Sequence, residues 1–214
     1  MVLTCLHILT VYGMEYNNLI FEGMTYKDYN LIFESNSLKI DSNIEGYEIM
    51  NSWEHPLMKK HAEIVCQNGG DILEIGFGMG ISANYIQSHN INSHTIVEIH
   101  PQVIQFLENW NKDKSNINLI EGDWYDKIEE ICSKKYDGIF FDTHMDKNAC
   151  RFRELVVDRC LKEGGIYTWF APRENIQRYK NVTFEIVEVN PKDCSYYDLK
   201  QAVCPYYIST KNQN

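Results

Sequence analysis

"DILEIGFGMG", residues 71–80, decides the fold. Asp71–Phe77 is a short apolar run that ends in glycines, which reads as a buried strand. Gly76, Gly78 and Gly80 then form G-x-G-x-G. Glycines let a backbone turn tightly and come close to a ligand, and the helix predicted next presents its N-terminus. Alone the signature is weak, because many α/β proteins keep a glycine turn for packing only.

Outward from this loop the same alternation repeats. "ISANYIQSH" reads as a helix, "HTIVEI" as a strand, "QVIQFLENWNK" as a helix and "INLIEG" as a strand. "WYDKIEEICSKK" and "RFRELVVDRCLK" are further helices around the strand "YDGIFFD", and "GGIYTWF" is a fifth strand. Helices between apolar runs imply a parallel sheet covered on both faces. "VTFEIVEV" and "AVCPYYIST" close the chain with no helical pattern between them, which predicts an antiparallel C-terminal strand pair. The expectation is a doubly wound α/β fold, Rossmann-like, with a mostly parallel seven-stranded sheet. Ligand belongs at the carboxyl ends of its strands.

Upstream, "WEHPLMKKHAEIVC" has helical spacing, with Pro56 suited to a first turn. Residues 1–50 mix aromatics with turn residues and read as an N-terminal arm or lid. Residues 51–214 read as the cofactor-binding domain. "MVLTCLHILTVYG" is too short to span a bilayer and lacks a basic region before its apolar run. It reads as a cytoplasmic extension, or as lying ahead of a start at Met14.

The chain has 214 residues, a net charge of -10 and a pI near 5.1. Nucleic acid as main partner is disfavoured, since phosphate binding wants a basic face. No membrane partner is expected. An acidic enzyme for a cationic substrate fits, although acidity by itself is usually only solubility. The seven cysteines form no C-x-x-C pair, and they read as reduced thiols rather than metal ligands.

Glu98 ends the second strand about 20 residues beyond the loop, where a carboxylate accepts ribose hydroxyls. Asp123 ends the third and can accept from an adenine amino group. Trp124 offers a ring face or backbone N–H, or is simply core. A dinucleotide would typically require G-x-G-x-x-G, and here the third glycine comes one residue early. The loop, the closing strand pair and the single small domain favour S-adenosylmethionine.

"IMNSWEHPLMKKHAEIVCQNGGDILEIGFGMGI", "YDGIFFDT" and "VNPKDCSYYDLKQAVCPYYISTK" closely resemble guanidinoacetate N-methyltransferase and the related arginine delta-N-methyltransferase, class I S-adenosylmethionine-dependent enzymes. The resemblance runs from about Ile40 to Lys211. It implies Met50 and Met58 near the cofactor, Gly76, Phe77, Gly78, Met79, Gly80 and Ile81 at its methionine end, and Glu98, Ile99 and His100 at its ribose. Asp123 and Trp124 would meet the adenine, and Glu54 and Asp142 would grip a guanidinium. Pro172 and Arg173 fall where the family's backbone meets the substrate carboxylate.

Two carboxylates suit a planar cation that offers paired N–H bonds. A guanidinium near 13 and an aspartate near 4 differ by about 9 units, roughly 12 kcal/mol, so full proton transfer before methylation is unattractive and proton loss as the methyl bonds is favoured. Asp142 is the expected proton acceptor and Glu54 the orienting clamp, with Trp53 partly desolvating it. Without the resemblance, Glu54 reads as a helix-start acid and Asp142 as a strand-end cap.

Two departures concern the substrate. Pro172 has no N–H to donate, and Arg173 could replace that contact. The segment Arg173 to Thr183 is much shorter than the family's, so the pocket is expected to be more open, with His144 and Asp146 near its mouth. Phe21, Tyr26 and Tyr29 are candidate lid aromatics. The expected function is methyl transfer to a small guanidino substrate, most simply guanidinoacetate, which gives creatine. Arginine, free or in protein, is the alternative acceptor, and a non-catalytic cofactor-binding module is the alternative of another class.

Overall fold

The structure is a computed structural model and describes residues 25–41, 47–171, 181–192, 194 and 196–210. Phe21, Pro172 and Arg173 lie outside these residues, as do both candidate start positions.

Seven strands form the large sheet: β4 (Asp71–Ile75), β5 (Ser93–Glu98), β6 (Ile117–Glu121), β7 (Tyr136–Phe141), β8 (Leu161–Trp169), β9 (Thr183–Glu188) and β10 (Gln201–Ile208). Their order is β6-β5-β4-β7-β8-β10-β9. β6, β5, β4, β7 and β8 run parallel. β10 is antiparallel to both β8 and β9. The closing antiparallel pair thus lies at one edge of the sheet, with the last strand, β10, inserted beside β8 and β9 outermost.

Alternation along each strand builds two cores. Ile72, Ile96, Phe140 and Ile166 face α1 (His55–Val65), α2 (Ile81–Gln87) and α3 (Pro101–Asn111). Leu73, Val97, Ile139 and Tyr167 face the opposite side, against Ile131 of α4 (Ile128–Ile131) and Phe152, Val156 and Cys160. Both faces of β4 are therefore dry, and its apolar run is continuous, as for an inner parallel strand.

Two helices differ from the periodic reading. α4 keeps one turn of the stretch 124–135, after the turn Trp124–Lys127. Ala149–Cys160 is a 3₁₀ turn, a π-helical turn (Arg153–Val157) and a final turn α5 (Asp158–Cys160). Phe152, Val156, Val157 and Cys160 all turn inward, a spacing wider than one α-helical stripe. Leu161 and Lys162 leave the helix because they already belong to β8, where Leu161 pairs with Tyr136.

Ahead of the large sheet, β1 (Leu31–Phe33), β2 (Ser37–Ile40) and β3 (Glu48–Asn51) make a small antiparallel sheet. Leu31, Leu38, Ile40 and Met50 join the same core as α1 and α2. The boundary drawn at residue 50 falls inside β3. The arm is latched to the start of α3: Leu31 N–H donates to Gln102 Oε1 at 2.7 Å, and the Gln102 amide donates back at 3.2 Å.

Candidate active site

The carboxyl ends of β4, β5 and β7 meet at the glycine loop. Gly76 has φ +87°, and a Cβ there would lie 1.9 Å from the Asp142 carbonyl oxygen. Only glycine lets the β4 and β7 ends come this close. Gly78 turns toward Met50 of β3: an added Cβ would sit 2.9 Å from its Sδ, which itself accepts from Met79 N–H at 3.3 Å. Gly80 is left-handed and opens α2.

Glu98 closes the far side of the loop. Its Oε2 accepts from Phe77 N–H at 2.9 Å, and its Oε1 from the N–H groups of Ile99 and His100, both at 2.8 Å. Burial raises its pKa, and these amides pull the other way. The acid read as a ribose acceptor is thus also the strut joining two loops. His100 is buried, and its Nε2 lies 2.9 Å from the Tyr29 carbonyl oxygen. The Tyr26 ring stands 4.9 Å from the His100 ring, and burial first, then the charge of Glu98, raises the Tyr26 phenol. Tyr26 and Tyr29 therefore sit over the end of β5.

The remaining sequence-derived residues divide in two. Phe77, Met58 and Ile81 are buried in the core, so of Phe77 only the backbone faces the site. The Trp124 ring is also core, 5.0 Å from Phe152, with Nε1 donating to Asp146 Oδ2 at 2.6 Å. Asp123 is half-buried, accepts from Tyr125 N–H at 2.9 Å and has a raised pKa, through burial first.

Asp142 leaves β7 half-buried, and its side chain has no hydrogen bond or ion pair among the described residues. Burial, then the charge of Glu74, pushes its pKa up to about 7. Glu74 lies in β4, fully buried, accepting from the Ser82 hydroxyl and 2.9 Å from His94 Nε2. Glu54 ends the 3₁₀ turn Ser52–Glu54 directly before α1 and is 4% exposed. Its Oε1 accepts from Asn51 N–H at 2.9 Å and from the Tyr196 hydroxyl. The helix-start reading thus describes one of its oxygens. Burial, then the nearby charge of Asp142, pushes its pKa up to about 8.

Two neighbouring carboxylates raised by burial and by acidic neighbours, with no cation paired to either among the described residues, make a site that a cation would satisfy. Trp53, expected to desolvate Glu54, is buried next to it. It stacks on Tyr197 at 4.8 Å and 14°, and its Nε1 donates to Cys194 Sγ at 3.1 Å.

Sequence reasoning gave no role to Tyr196, Tyr47 or Glu74. "DCSYYD" was visible as a motif, but its contact with Glu54 spans 142 positions. His144, placed near the mouth, lies edge-on to Tyr26 and Tyr47 at 5.7 and 5.9 Å. Burial pushes its imidazole down to about 4, and its Nε2 has no partner among the described residues.

The family model described as guanidinoacetate N-methyltransferase matches residues 24–173. The chain belongs to this family. A relative, protein arginine N-methyltransferase 2 of Candida glabrata, is 34% identical over 157 residues, 68% of this chain and 37% of the relative. The chain thus spans well under half of that protein's length. Among solved structures, spermidine synthase in complex with the transition-state analogue AdoDATO superposes with TM-score 0.57 at 15% identity, over 80% of this chain and 64% of that one. N-methyltransferase NodS from Bradyrhizobium japonicum gives 0.54 at 16%, over 75% and 98%. These likenesses show the class I methyltransferase fold.

The cofactor of this family and fold is S-adenosylmethionine, and the residues present fit it. The glycine turn of Gly76, Gly78 and Gly80, with positive φ at each, and the buried acid Glu98 bonded to the Phe77 N–H come together at the strand ends. Among the described residues no group of three or more His, Cys, Asp or Glu is arranged to hold a metal ion, and no helix is long and apolar enough to cross a membrane.

Proposed function

We propose that this chain transfers a methyl group from S-adenosylmethionine to a guanidino nitrogen. The neighbouring carboxylates of Glu54 and Asp142, whose pKa values burial raises to about 8 and about 7, carry the reading. A guanidinium supplies the missing positive charge and a planar array of donors for both acids. When bound, the cofactor supplies an electrophilic methyl group.

Met50, the loop from Gly76 to Ile81, and Glu98 with Ile99 and His100 would hold the cofactor; Asp123 and the Trp124 backbone would take its base. Glu54 orients the guanidinium. Fixing one nitrogen in line makes the encounter effectively intramolecular. Asp142 accepts the proton that this nitrogen loses as its new bond to carbon forms. A carboxylate raised toward 7 before binding is a better base than a solvated aspartate.

The acceptor favoured first is guanidinoacetate, in line with the family model's description. A second reading, an arginine side chain, is supported by the name of the Candida glabrata relative. The test is methyl transfer over guanidinoacetate, arginine, agmatine, guanidinopropionate and arginine peptides, with Glu54→Gln and Asp142→Asn beside the parent chain. Transfer to none of them, or transfer unaffected by both substitutions, would overturn the proposal.

A further inference from the structure

Both hydrogen bonds that Glu54 makes among the described residues fall on one oxygen. Oε1 accepts from Asn51 N–H and from the Tyr196 hydroxyl, which uses both of its lone pairs. Oε2 has no partner among the described residues. A substrate guanidinium therefore meets a single oxygen of Glu54, and a fork of two parallel bonds to this residue would have to break a contact inside the protein. Glu54 thus offers one oxygen, not two, to the paired N–H groups of a guanidinium.

The partner that turns Oε1 away comes from the far end of the chain. Tyr196 lies between β9 and β10, and its neighbours fasten the same turn: Cys194 accepts from Trp53 Nε1, and Tyr197 stacks on the Trp53 ring. We propose that Tyr196 is a positioning residue of the acceptor site, which holds Glu54 with Oε2 toward the substrate and favours its ionised form. This deepens the guanidino reading and rests on it for the identity of the acceptor.

A phenol can donate to a carboxylate but gains little from a neutral acid's carbonyl, so the contact stabilises the charge. It works against burial and against Asp142 at the end of β7 and Glu48 of β3, all of which raise the Glu54 pKa. Burial and Glu54 raise the Tyr196 phenol most, and Cys194 and Glu48 are the other titratable groups that raise it. Removing the hydroxyl leaves Oε1 with one donor and frees the side chain to rotate.

The test follows the carboxyl carbon of Glu54 by ¹³C NMR, assigned by its loss in Glu54→Gln. In Tyr196→Phe the titration is expected to move up by about one pH unit, as for loss of a hydrogen bond to a charged group. In methyl-transfer assays the same change is expected to raise the acceptor KM about tenfold with kcat largely kept, and to add nothing on a Glu54→Gln background. An unmoved or lowered titration, or additive losses in the double variant, would overturn the proposal. Should Tyr196→Phe not fold, 3-fluorotyrosine at position 196 tests the same link. Its more acidic phenol is expected to move the titration down, and an unchanged curve rejects the contact. If the parent chain methylates no guanidino compound, the functional reading falls while the titration still decides the role of Tyr196.

Discussion

The thioether of Met50 accepts a 3.3 Å hydrogen bond from the backbone N–H of Met79, and so couples the arm's last strand to the cofactor loop. The contact needs Gly78 next door, with φ +55° and its absent Cβ 2.9 Å from Met50 Sδ. Gly78→Ala is expected to weaken S-adenosylmethionine binding about tenfold, since a left-handed alanine costs roughly 1–2 kcal/mol. Calorimetric titration with the cofactor measures it. Met50→Ala combined with Gly78→Ala should recover only the steric part, because the backbone strain remains.

Acceptor binding should depend on pH through the two acids. Glu54 and Asp142 ionise near 8 and 7 in the free site, and a bound guanidinium favours both charged forms. Binding at pH 7 should therefore release protons, and affinity should climb as pH rises toward 8 and then level off. Isothermal titration in buffers of differing ionisation enthalpy reads the released protons directly. Uptake of protons, or flat affinity from pH 6 to 8, contradicts the pairing.

The same acids set a stability trend. The folded chain keeps a proton on Glu54 between its ordinary value of 4.5 and about 8, where the unfolded chain has lost it. Stability contributed by this group therefore falls as pH rises through that window and flattens above it. Glu54→Gln should have a shallower slope. Urea midpoints at pH 5, 6.5 and 8 provide the comparison.

Asp142→Asn removes the proton acceptor but keeps the shape. Its kcat is expected to fall about 10²–10⁴-fold, the usual range for a lost general base, with cofactor affinity little changed. Single-turnover methyl transfer separates this from slow product release. A variant that retains parental kcat would move the proton to another group.

Phe152 anchors the irregular helix. It is fully buried, 4.2 Å from the Phe141 ring and 5.0 Å from the Trp124 ring. Phe152→Ala is expected to cost about 3–5 kcal/mol. Chemical denaturation should show it, and Asp123 next to Trp124 makes a secondary loss of cofactor affinity expected.

Much of the molecule was legible in one dimension. Strand and helix periods, the glycine turn and the acid about twenty residues beyond it are local properties, written within one βα unit at a time. Hence β4 to β8, α2 and α3 follow from the text alone, while α4 and the turns of 149–160 are shorter or less regular than their periods. The insertion of β10 between β8 and β9 did not, because strand order depends on pairing between distant segments. Trp124 and Met58 show the same limit. Their types suit either a ligand wall or a core, and only packing against Phe152 or within α1 places them in the core. The carboxylates Glu54 and Asp142 could be named from the sequence by resemblance. Their burial, their mutual repulsion, and the Tyr196 hydroxyl that occupies one oxygen of Glu54 exist only once segments 142 positions apart have met in a dry site. Desolvation and charge–charge coupling depend on distance in space, and the chain sets that only by folding.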